Sequence, residues 1–291
     1  MFPESAARVM VPPAGYTRVA AVSCLAAVLL VGAMGCSRST LEFEDHSEFS
    51  HIRVRRDGEV RNLIFVQDNG REVVESRMNL ARPHQLLSRY TPFMFSSYLI
   101  RPRQDRVLLI GLGGGAMIQF LRYHDPELRV DVVEIDPVVV QIADEYFDVR
   151  TGGNIRIMTA DAMEYLTASD QIYDVIYMDA FLPASAGTDS SGVPLRLKTE
   201  QFYREARDRL APGGMMVFNV IAGDSFAEDV LAIRNAFPDA FVFDIPRSAN
   251  HVLIGCTLGP PTAERLRENA VEMDERFDAE FSFATLLDGL A

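Results

Sequence analysis

Short apolar runs alternate with longer segments of helical period from residue 106 onward. The clearest example is VLLIGLGGGAMIQF (107–120), where a run typical of a buried strand leads into a glycine-rich turn and a helix-like stretch. The predicted strands cover 106–111, 129–134, 154–158, 173–178, 214–220, 240–245 and 251–257. The predicted helices cover 115–124, 137–147, 161–167, 199–210 and 225–236, with a long loop at 180–197. This alternation predicts a parallel sheet covered by helices on both faces.

The last two strands are separated only by the short turn PRSAN. Because a crossover between parallel strands needs a longer connection, the final strand must run antiparallel. We therefore predict an α/β fold with a doubly wound, mostly parallel seven-stranded sheet, which resembles the Rossmann-like methyltransferase fold. It spans 101–258, and 259–291 forms a C-terminal helical tail. One antiparallel strand near the end of such a sheet is the layout of class I adenosylmethionine-dependent transferases.

A segment of alternating apolar and polar residues precedes this sheet. Asp57-Gly58 and Asn69-Gly70 are strong two-residue hairpin turns. They separate three predicted strands, at 51–56, 60–66 and 71–76. A β-meander this small buries little apolar surface alone, so we expect it to pack on the larger domain. With a linking helix at 83–98 it forms a region from 50 to 100, and 37–49 is assigned as a linker.

The first 36 residues have the composition of a targeting segment. Residues 19–35 are almost wholly apolar, follow Arg8 and Arg18, and end in small residues before Cys36. This layout is typical of a secretory signal, and the cysteine resembles that of a bacterial lipoprotein, in which Cys36 would be lipidated. We therefore expect membrane attachment, through the N-terminus only.

Two alternatives for this segment stay open. About 17 apolar residues are near the lower limit for an uncleaved membrane anchor. A true start at Met34 would instead leave a protein in the cytoplasm or at the cytoplasmic face of the membrane.

Charge and cysteine content exclude several classes of partner and site. A formal net charge of −13 argues against nucleic acid and anionic lipid surfaces, which bind basic proteins. The three cysteines, at 24, 36 and 256, form neither a metal-ligand spacing nor a disulfide framework. The five histidines are scattered. We expect no metal.

Four glycines lie within five positions at the end of the first strand of the large sheet: Gly111, Gly113, Gly114 and Gly115. Clustered glycine is costly unless the backbone turns sharply or approaches something closely. Ligands of open parallel sheets bind at this end of the strands. Glu134 ends the next strand, 19 residues after Gly115 and next to Ile135. An acid at that place accepts hydrogen bonds from both ribose hydroxyls of a nucleoside.

Two more acids follow the third and fourth strands. Asp161, next to Ala162, either accepts a hydrogen bond from an exocyclic adenine amine or caps the helix that begins there. Asp179 ends the apolar run YDVIYMD, where a carboxylate is disfavoured by desolvation unless something uses it. Successive strand ends thus carry a glycine loop and three carboxylates, which predicts an adenosyl-type ligand.

Residues 50–258 resemble the spermidine synthase (polyamine aminopropyltransferase) family in the order of six segments: VLLIGLGGG, VVEIDP, TADAMEYL, YDVIYMDAF, LKTEQFY and LAPGGMMVFNV. The resemblance implies transfer of an aminopropyl group from decarboxylated S-adenosylmethionine to a polyamine. It implies that Glu134 holds the ribose, that Asp161 and Ala162 hold the adenine, and that Asp179 is the base near the attacking amine. It also implies a homodimer.

Three departures from the family pattern affect the amine end of the site. Gly114 stands where the family's loop carries an aspartate that binds the donor's amino group. Asp179-Ala180-Phe181-Leu182-Pro183 lacks the second acid of the family's Asp-Ser-Ser-Asp-Pro. The acceptor-covering segment is ARPHQLLSRYTPF, whose counterparts are His84, Gln85 and Tyr90, and Tyr203 is a further candidate.

Three functions remain open on this basis. The first is aminopropyl transfer to a polyamine or another small amine. The second is methyl transfer from S-adenosylmethionine itself to an unknown acceptor, because losing the acid at Gly114 relaxes selection against the carboxylated donor. The third is a non-catalytic nucleoside-binding lipoprotein.

Overall fold

The computed structural model describes residues 39–259 and 261–290. The predicted signal or anchor of residues 1–36, with Cys36, lies outside the described residues. Within the described part of the chain, no helix is both long enough and apolar enough to cross a bilayer.

The first sheet is antiparallel and has four strands in chain order: β1 (Thr40–His46), β2 (His51–Asp57), β3 (Val60–Val66) and β4 (Glu72–Asn79). The predicted β-meander and both hairpin turns are confirmed. The linker at 37–49 was wrong, because β1 lies within it and pairs with β2. Acidic residues obscure the alternation in TLEFEDH. The strand is held by its partner β2 and by Phe43, whose ring packs 5.5 Å from that of Tyr146.

Two single-turn helices, α1 (Thr91–Met94) and α2 (Ser97–Ile100), replace the predicted helix at 83–98. The apolar period of this segment is real, since Phe95, Tyr98 and Leu99 are fully buried. Pro92, however, occupies the first turn of α1, where proline starts a helix rather than continuing one. Residues 81–90 therefore follow an irregular path, and Ser88 and Tyr90 near its end border the cavity at the carboxyl ends of the large sheet.

The large sheet has seven strands in the order β10-β11-β9-β8-β5-β6-β7. Its strands are β5 (Arg106–Ile110), β6 (Arg129–Glu134), β7 (Ile155–Thr159), β8 (Tyr173–Met178), β9 (Leu210–Ile221), β10 (Asp239–Asp244) and β11 (Asn250–Cys256). Strand β11 runs antiparallel to both of its neighbours, which confirms the prediction from the short turn. The predicted mostly parallel, seven-stranded fold is thus confirmed.

Helices cover both faces of this sheet: α3 (Ala116–His124), α4 (Pro137–Phe147), α5 (Ala162–Ala168), α6 (Glu200–Asp208), α7 (Phe226–Ala236), α8 (Ala263–Phe277) and α9 (Phe283–Leu286). Alternate strand residues point to opposite faces, so Leu109 and Leu108 belong to separate cores. The core around Leu109 is shared with the first sheet, α3, α4, α8 and α9. The core around Leu108 is shared with α5, α6 and α7. The C-terminal helices are therefore an integral part of the fold.

The first sheet is tied to the large one next to the glycine-rich loop. The hydroxyls of Ser47 and Ser50 donate hydrogen bonds to Asp136 Oδ2, at 2.6 and 2.7 Å. The other oxygen of Asp136 accepts from the Val138 N–H at 2.9 Å and so caps α4. One buried carboxylate thus fixes both the start of α4 and the turn between β1 and β2, and β4 becomes a wall beside the carboxyl ends of the large sheet.

Gly111 allows the backbones after β5 and β8 to approach closely. Its φ is +95°, and a Cβ built there would lie 2.3 Å from the carbonyl oxygen of Asp179. Gly70, in the β3–β4 turn, has a similar φ of +80° but open space around the same position.

We predict that Gly111→Ala lowers the free energy of unfolding by about 3 kcal/mol or more, because left-handed strain of about 1–2 kcal/mol adds to a backbone clash. Gly70→Ala should cost only the strain, about 1–2 kcal/mol. Urea unfolding followed by circular dichroism measures both. An equal loss of unfolding free energy in the two variants would show that the backbone at Asp179 does not lie against Gly111.

Candidate active site

A single cavity runs along the carboxyl ends of the central strands and is closed on one side by β4. Neighbouring strands lie about 4.8 Å apart, so the strand order β9-β8-β5-β6-β7 fixes the order of groups along the cavity. Asn219 comes first, then Asp179, the glycine-rich loop and Glu134, with Ala162 at the far end. Strands β6 and β7 follow on one side of β5, and the chain then returns to place β8 and β9 on its other side. The strand order therefore reverses between β5 and β8, and open α/β sheets bind ligands at such a switch point.

Glu134 faces the cavity with its carboxylate braced against the glycine-rich loop. Its Oε2 accepts from the Leu112 N–H at 2.8 Å, and its Oε1 accepts from the Asp136 N–H at 3.0 Å. Burial raises the pKa of Glu134, and these backbone donors oppose the rise. Both oxygens keep lone pairs for further donors. The geometry suits a carboxylate that receives two hydroxyls, and Ile135 lies beside it on the cavity wall.

The glycine-rich loop lines the cavity through Gly111, Gly113 and Gly115. Gly114 is buried and lies outside this lining: a Cβ there would be 3.0 Å from both the Phe147 ring and Ser76 Oγ. Phe147 and Ser76 therefore already occupy the space that a side chain at position 114 would need.

Asp179 stands at the end of β8 with one donor on each oxygen. The Tyr90 hydroxyl donates to Oδ2 at 2.9 Å, and Asn219 Nδ2 donates to Oδ1 at 2.8 Å. Asn250 Nδ2 donates in turn to Asn219 Oδ1 at 2.8 Å, which fixes the orientation of that amide. Burial raises the pKa of Asp179, and the two hydrogen bonds oppose it. Asp179 is therefore a carboxylate of fixed orientation, and its pKa is higher than that of an exposed aspartate.

Tyr90 is the one acceptor-side candidate that the structure brings to this carboxylate. Burial raises the pKa of its phenol, and so does the charge of Asp179, so Tyr90 stays protonated and donates. Gln85 instead accepts from Asn79 Nδ2 at 2.7 Å, and His84 stacks on Tyr123 with ring centroids 3.8 Å apart. Neither is part of the cavity wall, because these contacts hold both side chains elsewhere.

Tyr203 also lies apart from the main cavity. It packs against Phe218 with ring centroids 5.6 Å apart and borders a smaller hollow between α6 and α7. Its side chain is 3% exposed, so its role in the described structure is in the core.

Asp161 adopts the capping geometry. Its Oδ1 accepts from the N–H groups of Met163 at 2.7 Å and Glu164 at 3.3 Å, at the start of α5. Its Oδ2 is ion-paired with Arg196, whose side chain is half exposed and borders the cavity. The neighbouring Ala162 lines the cavity, whereas Asp161 lies behind the guanidinium.

Glu75 is a cavity residue that the sequence reasoning missed. It belongs to β4, lines the cavity together with the glycine-rich loop, and is partly buried. Burial, and then the charge of Asp179, raise the pKa of Glu75 to about 7. Asn219 and Asn250 were missed as well. The one available signal was an acid in the middle of the apolar strand EVVESRMN.

The cavity is strongly acidic. Its lining includes the carboxylates of Glu75, Glu134, Asp136 and Asp179, and among the described residues that border it only Arg196 is basic. Arg196 is already engaged by Asp161. Since like charges held together in a partly desolvated space attract counter-charge, the site suits a cationic ligand. No group of three or more His, Cys, Asp or Glu side chains arranged for a metal ion occurs within the described residues.

Known proteins are similar to this chain in sequence and in fold. The family described as "Spermine/spermidine synthase domain" matches residues 93–235. The polyamine aminopropyltransferase of Vibrio vulnificus is 29% identical over 246 residues, covering 83% of this chain and 80% of that protein. That of Neisseria meningitidis serogroup A is 30% identical over 193 residues, covering 64% and 69%.

A crystal structure of spermidine synthase in complex with the transition-state analogue AdoDATO has the same fold. It superposes with a TM-score of 0.64 at 19% identity, covering 86% of this chain and 85% of that one. The sequence matches, together with the glycine-rich loop and the acids at the strand ends, place this chain in the spermine/spermidine synthase family.

Proposed function

We propose that this chain is an aminopropyltransferase, which binds decarboxylated S-adenosylmethionine and transfers its aminopropyl group to a primary amine of a polyamine. Membership of the family supports the reaction class. The observation that carries the choice of donor is the charge of the cavity. S-Adenosylmethionine itself would bring its α-carboxylate near Asp179 and Glu75, where the described residues that line the cavity include no unpaired cation, whereas the decarboxylated donor brings only positive charge.

The strand order supports one direction for the donor along the cavity. Glu134 receives the ribose hydroxyls, and Ile135 and Ala162 provide apolar contact for the adenine at the β6–β7 end. The glycine-rich loop leaves room for the sulfonium, and the aminopropyl chain extends toward β8 and Asp179. Arg196 pairs with Asp161 and has a half-exposed side chain, so this side chain would have to move aside before Asp161 accepts a hydrogen bond from the adenine amine.

Asp179 then serves as the general base for the acceptor. A protonated amine has no lone pair, so a carboxylate must take its proton before the nitrogen attacks. The C–N bond forms as the C–S bond breaks, methylthioadenosine leaves, and the proton moves to Asp179. Tyr90 and Asn219 hold the carboxylate in place, and its raised pKa makes it a better proton acceptor than an exposed aspartate. Alignment of amine and sulfonium in one cavity supplies much of the remaining acceleration.

One observation favours a second candidate, methyl transfer from S-adenosylmethionine. Position 114 carries no acid to select for the donor's ammonium group. The two reactions leave different products, since methyl transfer yields S-adenosylhomocysteine and an amine heavier by one methyl group.

Lipidation at Cys36 and dimer formation stay predictions. Location also bears on activity, because adenosylmethionine is a cytosolic metabolite. A domain carried across the membrane would be separated from its donor, whereas one at the cytoplasmic face would not.

We predict that the protein, given decarboxylated S-adenosylmethionine and putrescine or spermidine, produces methylthioadenosine and an amine one aminopropyl group heavier. Mass spectrometry of the mixture measures both products. With S-adenosylmethionine in place of the decarboxylated donor, little transfer is expected. A methylated amine as the main product, or no product with any diamine, would contradict the proposal.

Asp179→Asn should lower turnover about 10²–10⁴-fold, the usual contribution of a general base, and change the dissociation constant for methylthioadenosine less than threefold. Steady-state kinetics and calorimetry separate these effects. Asp170→Asn is the matched control, because the Asp170 side chain is fully exposed. Wild-type turnover in the Asp179 variant would remove this residue from the mechanism.

Glu134→Ala should weaken methylthioadenosine binding by about 1–3 kcal/mol, since a charged acceptor for the ribose hydroxyls is lost. Calorimetry measures the change, and circular dichroism checks that the loop still folds. Glu127→Gln, an exposed acid after α3, should bind as the wild type does. Undiminished affinity in Glu134→Ala would mean that the nucleoside lies elsewhere.

A further inference from the structure

A β-bulge places Glu75 on the cavity wall. In the pairing of β3 with β4, Leu63 faces Ser76 and Ile64 faces Val74, so Glu75 is an extra residue without a partner on β3. Bulges redirect side chains and occur often beside active sites. Here the result is that four consecutive residues, 73–76, border the cavity, which a regular strand with alternating side chains would not achieve.

The carboxylate of Glu75 has no hydrogen-bond or ion-pair partner among the described residues. Other acids of the cavity do: Glu134 is held by backbone N–H groups, and Asp179 by Tyr90 and Asn219. The titratable groups that face Glu75 are Asp179, at the end of β8, and Tyr90, ahead of α1. One of these is acidic and the other is already donating to it. A partly buried carboxylate without a partner is costly, and a ligand that donates a hydrogen bond to it would remove this cost.

The glycine-rich loop has no acidic side chain that could bind an amine. The space that a side chain at position 114 would need is taken by Phe147 and by Ser76, the neighbour of Glu75 on β4. A carboxylate for the amine end must therefore come from another wall. Glu75 lies on the β4 wall of the same cavity, where burial, and then the charge of Asp179, raise its pKa to about 7.

We propose that Glu75 binds a substrate's primary ammonium group, acting with Asp179 as a pair of carboxylates that one cation bridges. This assignment rests on the proposed function and names the residue that recognises the amine. The ammonium has two sources, the aminopropyl end of the donor and a terminal amine of the acceptor. The chemistry is the same for both, since an ammonium has three donors for the unfilled lone pairs of the two acids.

The test is Glu75→Gln, which keeps the size of the side chain and removes its charge. Calorimetry with methylthioadenosine, which has no ammonium, should give a dissociation constant within twofold of wild type. Decarboxylated S-adenosylmethionine tests the donor arm, and putrescine added to the methylthioadenosine complex tests the acceptor arm. We expect at least one of these two to bind tenfold or more weakly. Glu75→Asp should recover part of the loss, because it restores the charge.

Glu72→Gln is the matched control. Glu72 lies on the same strand, but it is paired with Arg53 and Arg55 on the outer side of the sheet. This variant should bind all three ligands as the wild type does.

The outcomes separate this inference from the proposed function. A loss confined to the donor or to the diamine supports Glu75 as the ammonium site and identifies the source. An equal loss for methylthioadenosine would show that Glu75 only shapes the cavity, and unchanged affinities would show that it contacts no ammonium; each overturns the inference. If the wild type makes aminopropylated product in these latter cases, the proposed function stands without Glu75. A wild type that only methylates its acceptor overturns the proposed function, and the affinities of the two ammonium-bearing ligands then decide the inference about Glu75 by themselves.

Discussion

The structure depends on holding several carboxylates at one edge of a parallel sheet. Each loses hydration there, and a buried charge is costly unless donors or counter-charges replace the lost water. Glu134 is compensated by backbone N–H groups and Asp179 by a phenol and an amide. Glu75 has no such compensation among the described residues. The negative potential that remains in the cavity favours a cation, and a sulfonium bearing an aminopropyl ammonium supplies two positive charges in a line.

Other parts of the fold hold these carboxylates in place at the carboxyl ends of the strands. Gly111 lets the chain after β5 pass against the carbonyl of Asp179, so that the glycine-rich loop and the Asp179 carboxylate share one cavity. The first sheet is pinned beside them by the serine hydroxyls on Asp136, and its bulged strand closes the opposite wall. The small N-terminal sheet is therefore part of the active site, and the family likeness in the large sheet alone would not describe the amine end.

The large sheet was predictable because hydrophobic periodicity and turn residues can be read from short stretches of the sequence. Every strand from β5 to β11 begins and ends within a few residues of its predicted place, and the PRSAN turn fixed the direction of β11. Strand β1 was missed because its acidic residues hide the alternation. The predicted helix at 83–98 was wrong because Pro92 starts a new, short helix there. In the site, the glycine-rich loop, Glu134 and Asp179 stand where strand ends predict them. The place of Glu75 in the cavity depends on a β-bulge, and those of Asn219 and Asn250 depend on contacts between strands that are far apart in the sequence. No local sequence pattern encodes either feature.

The most direct test of the account is the relative affinity of the wild-type protein for two donors that differ by one carboxylate. Calorimetry should show decarboxylated S-adenosylmethionine binding at least tenfold more tightly than S-adenosylmethionine at neutral pH. Added salt should narrow the difference, because the discrimination is electrostatic. Equal affinities, or tighter binding of the carboxylated donor, would contradict the claim that the acids of this cavity select a purely cationic chain.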